Sequence, residues 1–378
     1  MSAARTIEVL VEQIRDRRDE FDTTAAAADR MGAAPVELDR LMRELRVPMV
    51  KVPVEVGGDQ LGLADQFRYF EALSYANATA GWTGFNHAGA AGIAGASLGE
   101  VGLEAVFGSN PSPIMAAVAA PSGTFERVDG GVRASGTWRY ASGIRHADWV
   151  LLTALAGSGA RGVRMVVVPV AAATVTDDWD VMALKGTGSM TARLDDVFVS
   201  DDLVIDPTAE RRRGGPLYRQ PYQVYVAPEN LGFTIGVCQR FFDELVAHAG
   251  AKARGADGRL ADRGAFQYEL GKGQLQVNAA RAYAQQCFAE ADAACRANGG
   301  LTAAEQQHIG AMLAYCTESA ANAVSHLFHF AGAGALFSSS VLQRCFRDAH
   351  GSVQHAVASN TAYDRFGLTM LTPRGAAD

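Results

Sequence analysis

The N-terminal part of the chain carries apolar residues at helical spacing. Two sets recur at i, i+3, i+4 and i+7, namely Ile7, Leu10, Val11 and Ile14, and then Leu38, Leu41, Met42 and Leu45 after Pro35. This spacing places apolar side chains on one face of a helix. We expect a turn at 53–58, a further helix from Asp65, and closely packed helices over the alanine- and glycine-rich segment 79–106. Residues 1–112 are therefore predicted to form a helical domain.

The next part of the chain, 113–220, changes to a period of two. Apolar or small residues alternate with polar ones at Val132, Ala134, Gly136, Trp138 and Tyr140. Alternation of this kind gives a strand one apolar face. Apolar runs at 149–155, 165–168 and 193–199 are separated by glycine-bearing turns at 129–131, 157–159 and 186–189. The pattern predicts a β-domain of hairpins.

The helical period returns from about residue 231. One long stripe, small in its middle, contains Phe266, Leu270, Gly273, Val277, Ala280 and Ala284. Such a stripe is expected of a helix packed tightly in a bundle. A second long helix is predicted over 302–330, and the last helix contains 342–350. Residues 221–378 are thus predicted to form a helical bundle.

Composition narrows the class of partner. The chain has 378 residues, 20% of them charged and 48% hydrophobic, with a net charge of −7. This charge argues against a nucleic-acid surface and favours small-molecule partners. No apolar run reaches transmembrane length, and charges among the first twenty residues argue against a signal peptide. The five cysteines form no Cys-x-x-Cys pair, so we expect reduced, buried cysteines in a cytoplasmic protein.

Several short motifs are rejected on their context. The Gly-x-Ser-x-Gly string at 95–99 lacks the preceding strand of a hydrolase, and the Gly-x-Gly strings at 186–188 and 332–334 lack the third glycine of a dinucleotide site. His326 and His329 have no carboxylate in a metal-binding pattern. We therefore expect no metal site.

The stretch 137–149 is the strongest candidate for chemistry. The strand that ends there delivers the aromatic rings of Trp138 and Tyr140 and the hydroxyl of Ser142 to the end of a sheet, where a flat ligand could lie against them. On pattern alone, an amphipathic hairpin with its aromatic residues in the core explains the same sequence.

Five short segments of the sequence, taken in their order along the chain, resemble those of the acyl-CoA dehydrogenase superfamily. The matching pieces are 52–58, 138–149, 184–189, 196–199 and 342–348. The resemblance implies an α+β, mainly α fold with an N-terminal helical domain, a middle β-domain and a C-terminal four-helix bundle. It also implies a flavin held between the β-domain and the bundle, usually in a homotetramer.

The expected catalytic base of a dehydrogenase is missing from its usual place. Many members of the superfamily carry a glutamate about nine residues after the arginine of the Arg347-Asp348 pair, and here that position is Ala356. Some members carry the glutamate on another helix, so an acyl-CoA dehydrogenase or flavin oxidase with a relocated base stays an alternative. An N-oxygenase or a redox-neutral pathway protein on the same fold is a further alternative.

Arg347-Asp348-Ala349-His350, the later His355 and the Trp138–Gly143 turn instead resemble the two-component flavin monooxygenases of this superfamily. That resemblance implies a hydroxylase that takes reduced flavin (FMN or FAD) from a separate flavin reductase. O2 is the co-substrate, a flavin hydroperoxide the oxygenating species, and the substrate an aromatic or polyketide-like small molecule.

The same resemblance implies a role for individual residues. Ser142 lies near the reactive edge of the flavin, and His355 is the base on the substrate side. His87 is the candidate to replace a pocket histidine that many phenol hydroxylases carry where this chain has Ala90. Our hypothesis for the remaining cofactor contacts places Trp138 and Tyr140 beside the flavin ring, Thr187 and Ser189 as hydroxyl donors, and Arg263 and Gln267 at the phosphate end.

Overall fold

A computed structural model of the protein describes residues 4–157, 162–251 and 259–371. Its helices are α1 (Ile7–Asp16), α2 (Arg18–Met31), α3 (Val36–Glu44), α4 (Leu63–Ala76), α5 (Ala78–Ser97), α6 (Glu100–Leu103), α7 (Tyr222–Ala251), α8 (Gly264–Asn298), α9 (Ala303–Phe328), α10 (Val341–Val353) and α11 (Thr361–Leu371). Its strands are β1 (Met115–Val128), β2 (Gly131–Ala141), β3 (Trp149–Ala156), β4 (Val163–Pro169), β5 (Thr174–Thr176), β6 (Met190–Ser200) and β7 (Val204–Ile205). The predicted fold class, mainly helical with a middle β-region, is confirmed.

The chain groups into two compact units. The sheet unit comprises Met1–Leu61, Trp82–Val181 and Lys185–Arg219, and the bundle unit comprises Gly62–Gly81, Met182–Leu184 and Gln220–Asp378. The predicted division into three domains at 112 and 220 stays a prediction. No helix of the described residues is long and apolar enough to cross a membrane.

The sheet unit is built on a sheet whose described strands have the order β5-β6-β2-β1-β3-β4-β7. β1 with β2 and β3 with β4 form the antiparallel hairpins that the sequence predicts. β1 and β3, however, are parallel neighbours, which a sheet of successive hairpins would not contain. The turn predicted at 157–159 lies outside the described residues after Gly157.

Both faces of this sheet are covered, because alternate residues of its central strands enter different cores. Val150 and Leu152 of β3 pack with Trp138 on one face. Leu151 between them packs with Ala91 and Ala94 of α5 on the other face. The alanines and glycines of α5 therefore let that helix approach the sheet closely, as the composition of 79–106 predicts.

The bundle unit contains the long helices α7, α8 and α9 with α10 and α11. The predicted stripe on α8 is buried, apart from the partly exposed Leu270. Thr302 and Glu305 form a reciprocal capping box at the start of α9, which fixes that boundary. Asp292 of α8 accepts hydrogen bonds from the Leu63 and Ala64 N–H groups at 2.8 and 3.0 Å, so a distant side chain caps α4.

Two helical segments differ from the sequence prediction. α7 begins at Tyr222, well before residue 231, and carries Pro228 inside it. Because proline is expected to end a helix, the pattern hides the first two turns of α7. The helix α11 was not predicted, because the sequence analysis placed the last helix at 342–350.

Candidate active site

The chain turns sharply where β2 ends, and this turn fixes Ser142. Gly143 has φ of 72°, in the left-handed region that favours glycine. Its N–H donates to the Thr187 carbonyl at 2.8 Å, and the Ser142 N–H donates to the Tyr140 carbonyl at 3.0 Å. The turn is therefore anchored to the loop that carries the second group of predicted hydroxyls.

Three hydroxyls and one indole form a buried chain of hydrogen bonds beside this turn. Ser142 Oγ lies 2.7 Å from Ser189 Oγ, and Ser189 Oγ lies 2.6 Å from Thr187 Oγ1. The Trp82 indole N–H donates to Ser142 Oγ at 3.3 Å. None of the four residues is more than 6% exposed. We call Trp82, Ser142, Ser189 and Thr187 the hydroxyl chain.

The sequence pattern predicts Ser142, Ser189 and Thr187 as site residues. It does not predict Trp82, the indole partner of Ser142 in the hydroxyl chain. Trp82 is therefore a residue of the candidate site that the sequence pattern does not identify. The signal that could have identified it is a tryptophan near the start of a helix of alanine and glycine, because a buried indole N–H needs an acceptor.

Trp138 departs from its predicted place beside the flavin. Its side chain is fully buried in the core of the sheet unit, and its indole N–H donates to the Thr153 carbonyl at 2.7 Å. A ring with no exposed surface cannot stack on a ligand unless this core opens. The alternative of a core aromatic, left open by the sequence pattern, describes Trp138 correctly.

Tyr140 is exposed whereas Trp138 is fully buried, although the period of two places both on one face of β2. The register of β2 on β6 shifts between Trp138 and Ala141, and Tyr140 has φ of 72°. This bulge adds a residue and reverses the alternation. Tyr140 is 63% exposed and makes an edge-on contact with the Trp179 ring, with centroids 6.1 Å apart. Its ring is thus available to a ligand.

His87 lies directly behind the turn. Its Nδ1 is 2.9 Å from the Met115 carbonyl, an acceptor, so Nδ1 carries the proton and Nε2 has the lone pair. A Cβ placed on Gly143 would lie 2.6 Å from Nε2, so only glycine leaves room for this ring. Burial lowers the pKa of His87 to about 4 and keeps the imidazole neutral. The structure therefore brings His87 to the Ser142–Gly143 turn, whereas Ala90 lies buried in the core.

His355 lies in the bundle unit, just after α10. Its side chain is partly buried, and its Nδ1 accepts from the Val357 N–H at 3.4 Å. Burial lowers the pKa of His355 to about 4. Since Nδ1 is the acceptor here, the neutral ring carries its proton on Nε2. In this geometry the proton on Nε2 makes His355 a hydrogen-bond donor, and its role as the substrate-side base stays a prediction.

The Arg347-Asp348 pair and His350 have structural partners in the bundle unit. Asp348 accepts from the Leu184 N–H at 2.7 Å, and Arg347 donates to the Met182 carbonyl. His350 Nε2 lies 2.7 Å from Ser325 Oγ, and burial lowers its pKa. The contacts of Asp348 and Arg347 hold the segment 182–184 against α10, and that of His350 joins α10 to α9.

Arg263 and Gln267 are exposed at the start of α8. Arg263 is the N-cap residue of α8, and the Gln267 side-chain amide donates to the Ala261 carbonyl at 2.9 Å. A cationic side chain beside a helix N-terminus is a favourable setting for a phosphate. Their contact with a cofactor stays a prediction.

The donor set of the sheet unit fits one edge of a flavin ring. That edge presents both acceptors and donors, and a serine hydroxyl can serve either kind. Ser142, held by a glycine turn with the exposed ring of Tyr140 two residues before it, supplies such a group. The described residues contain no cluster of three or more potential metal ligands, and their five cysteines are buried and unpaired.

Comparison with known proteins identifies the class of this fold. Residues 231–360 match the family described as acyl-CoA dehydrogenase, C-terminal domain. The solved structure of XiaF from Streptomyces sp., in complex with FADH2 and glycerol, is similar with a TM-score of 0.87 at 25% identity, covering 97% of this chain and 95% of that one. The chain therefore has the acyl-CoA dehydrogenase fold.

Curated relatives narrow the class further. The pigment production hydroxylase of Rhodococcus erythropolis is 28% identical over 97% of this chain and 97% of its own length. The oxygenase component of the FADH2-dependent resorcinol hydroxylase of Rhizobium sp. is 28% identical over 72% of this chain and 70% of its own. The predicted resemblance to the two-component flavin monooxygenases of this fold is confirmed.

Proposed function

We propose that the protein is the oxygenase component of a two-component flavin-dependent monooxygenase. It binds reduced flavin delivered by a separate flavin reductase and hydroxylates an aromatic or polyketide-like small molecule. The balanced reaction consumes the substrate, O2 and reduced flavin, and gives hydroxylated substrate, water and oxidised flavin. Similarity over nearly the whole chain to hydroxylases of this fold supports the class.

The observation that carries the proposal is the buried hydroxyl of Ser142 on its fixed turn. When bound, reduced flavin supplies the electrons that activate O2 for transfer of one oxygen atom. A reaction of this kind needs a dry site, because water diverts it to hydrogen peroxide. Ser142 is 4% exposed, so it can offer a hydrogen bond where little water competes.

On the substrate side we propose His355. With its Nδ1 engaged by the Val357 N–H, the ring presents Nε2–H to the hydroxyl oxygen of a phenol-like substrate. Such a hydrogen bond stabilises the phenolate of a substrate whose hydroxyl proton has passed to water before binding, and this oxyanion makes the substrate ring electron-rich. His87 is assigned to the flavin side, where it supports the Ser142–Gly143 turn.

The finer details are also proposals. We favour FADH2 as the flavin, because the resorcinol hydroxylase relative and the XiaF complex both name it. Arg263 and Gln267 would hold the phosphate end of that cofactor. Five unpaired cysteines among the described residues support a cytoplasmic location. Exposed apolar residues on α8 support the homotetramer and are treated below.

The alternative of a flavin dehydrogenase would need a catalytic base elsewhere in the chain. Glu229 on α7 is 1% exposed, and a buried carboxyl is what a relocated base requires. A direct comparison separates the two functions. The oxidised-flavin-loaded protein is mixed anaerobically with acyl-CoA thioesters, and bleaching of the flavin that is lost in Glu229→Gln would establish the dehydrogenase.

The proposed function is tested with reduced FAD and FMN, air and a panel of phenols. We expect hydroxylated product, a measured ratio of product to flavin oxidised that approaches one for the best substrate, and a fall of this ratio in His355→Ala. Absence of reduced-flavin binding for both flavins would refute the oxygenase. An unchanged ratio in His355→Ala would remove that residue from its role.

A further inference from the structure

In the hydroxyl chain, Trp82 fixes which group donates and which accepts in the first hydrogen bond. An indole N–H can only donate, so Ser142 Oγ must act as the acceptor of the bond from Trp82. Ser142 then has one proton of its own to place. The remaining two links, at 2.7 and 2.6 Å, join hydroxyls that can each either donate or accept.

Among the proton arrangements that satisfy these three links, two show where the Ser142 proton can go. In the first, Ser142 donates to Ser189, and Ser189 donates to Thr187. In the second, Thr187 donates to Ser189, Ser189 donates to Ser142, and the Ser142 proton points to a bound ligand. Since Trp82 donates to Ser142 in both, Ser142 accepts from two groups in the second arrangement. Accepted bonds polarise a hydroxyl and strengthen the bond that it donates.

We propose that Trp82, Ser189 and Thr187 are positioning residues that orient and strengthen the hydrogen bond which Ser142 donates to reduced flavin. The inference rests on the proposed function, because it takes Ser142 as the flavin-contacting group. It also reassigns Ser189 and Thr187. Their hydroxyls serve Ser142 and act on the flavin through it, whereas the sequence analysis gives them direct contact with the cofactor.

Burial and packing support this assignment over a purely structural role. A core that needed only volume here would use alanine and valine, whereas four polar groups meet in residues that are 1–6% exposed. Buried polar groups are retained at a cost unless each is paired, and this chain pairs them with one another. The indole also packs on Phe85, with ring centroids 4.8 Å apart, so its N–H is held in a fixed direction.

The test needs no knowledge of the substrate. Protein loaded with reduced FAD is mixed with O2, and the rates of flavin oxidation and hydrogen peroxide release are measured with the affinity for reduced FAD. Trp82→Phe keeps a ring and removes the N–H, while Ser189→Ala and Thr187→Val remove one hydroxyl each. We expect each change to raise peroxide release about three- to tenfold, as for loss of one hydrogen bond. Affinity should stay within about twofold of the wild type.

Matched variants distinguish a positioning effect from a packing effect. Thr187→Ser restores the hydroxyl and should restore the wild-type rate. Thr153→Val removes a buried hydroxyl of the same unit that has no partner among the described residues and should leave peroxide release unchanged. In a Ser142→Ala background, Trp82→Phe and Ser189→Ala should add nothing, because all act through one hydroxyl.

A measurement without flavin reports directly on the hydrogen bonds of the hydroxyl chain. The protein has four tryptophans, and 5-fluorotryptophan labelling gives each a 19F resonance, with that of Trp82 identified by its loss in Trp82→Phe. We expect this resonance to shift in Ser142→Ala and in Ser189→Ala but not in Thr153→Val. An unmoved resonance would overturn the inference.

The failures of the two proposals are distinguishable. Wild-type peroxide release in Ser142→Ala would refute the flavin-contacting role of Ser142 and with it the proposed site. Faster peroxide release in Ser142→Ala, together with unchanged peroxide release in Trp82→Phe, Ser189→Ala and Thr187→Val, would refute only the positioning role of the hydroxyl chain. Additive effects in the double variants would refute it as well.

Discussion

At the scale of single residues, the Ser142–Gly143 turn shows how one missing side chain shapes a site. Gly143 and Gly130 share φ of 72°, but their surroundings differ. A Cβ at Gly143 would meet His87 Cε1 at 2.5 Å, while nothing lies within 4 Å of a Cβ at Gly130. The left-handed backbone conformation favours glycine at both positions. At Gly143 the nearby imidazole of His87 is a second reason, because it leaves no room for a Cβ.

We predict that Gly143→Ala costs more stability than Gly130→Ala. A non-glycine residue in the left-handed region costs about 1–2 kcal/mol at either position. The contact with His87 should add about 1–3 kcal/mol at Gly143. Free energies of unfolding from urea denaturation measure both. Equal losses would mean that His87 moves aside without cost, and His87→Ala should relieve the extra loss if the ring causes it.

His87 also makes stability depend on pH. Its folded-state pKa of about 4 lies below the ordinary histidine value near 6.5. Between these two pH values the unfolded chain binds a proton that the folded chain does not. The contribution of His87 is therefore complete above about pH 6.5 and is lost as the pH falls toward 4.

We predict that the wild type loses about 2 kcal/mol more stability between pH 7 and pH 5 than His87→Gln, which does not titrate. The glutamine amide can still donate to the Met115 carbonyl. Parallel pH dependences for the wild type and His87→Gln would show that His87 is not held neutral.

At the scale of elements, one face of α7 is polar although the helix is buried. Gln223, Asn230 and Thr234 lie within about 60° of one another around the helix axis. Gln223 donates to the Val357 carbonyl at 3.3 Å, and Thr234 Oγ1 lies 2.8 Å from Ser352 Oγ. This stripe therefore faces the segment that carries His355. Asn230, between them, is fully buried, and neither Oδ1 nor Nδ2 has a partner among the described residues.

We predict that Asn230→Leu stabilises the protein, because it removes a buried unpaired amide at nearly constant shape. The gain should be about 1 kcal/mol or more, measured by urea denaturation. Thr234→Val is the matched change on the same face, and it should destabilise because it removes a bond to Ser352. If Asn230→Leu lowered the free energy of unfolding more than Thr234→Val does, the Asn230 amide would have a hydrogen-bond partner.

The same elements show what a sequence can reveal. Long periodic segments such as α8 and strands with clean alternation such as β2 follow directly from the spacing of apolar residues. Tyr140 could not be placed, because one extra residue in β2 reverses the alternation and leaves no mark in the pattern. Trp82 could not be assigned for a different reason, since its acceptor, Ser142, is sixty residues away in the chain. Residue type suggests a candidate site, and only tertiary contacts suggest which role each residue has within it.

At the scale of the whole molecule, α8 presents an apolar face to solvent. Tyr268 and Leu275 are 67% and 69% exposed, and Ala279 and Ala282 continue the same exposed face. Exposed apolar residues aligned on one helix mark a contact with another surface more often than scattered ones do. A second copy of this chain is the partner that the proposed homotetramer supplies.

We predict that Leu275→Glu lowers the mass of the particle measured by light scattering after gel filtration. A carboxylate in an interface must be desolvated without a partner, which costs several kcal/mol and favours dissociation. Val246→Glu, on α7, introduces the same charge at another apolar site that is 50% exposed and should leave the mass unchanged. Circular dichroism would verify that both variants fold. A tetramer that survives Leu275→Glu would place the subunit contact elsewhere. A monomeric mass for the wild type would refute the tetramer, but it would not affect the proposal for the hydroxyl chain.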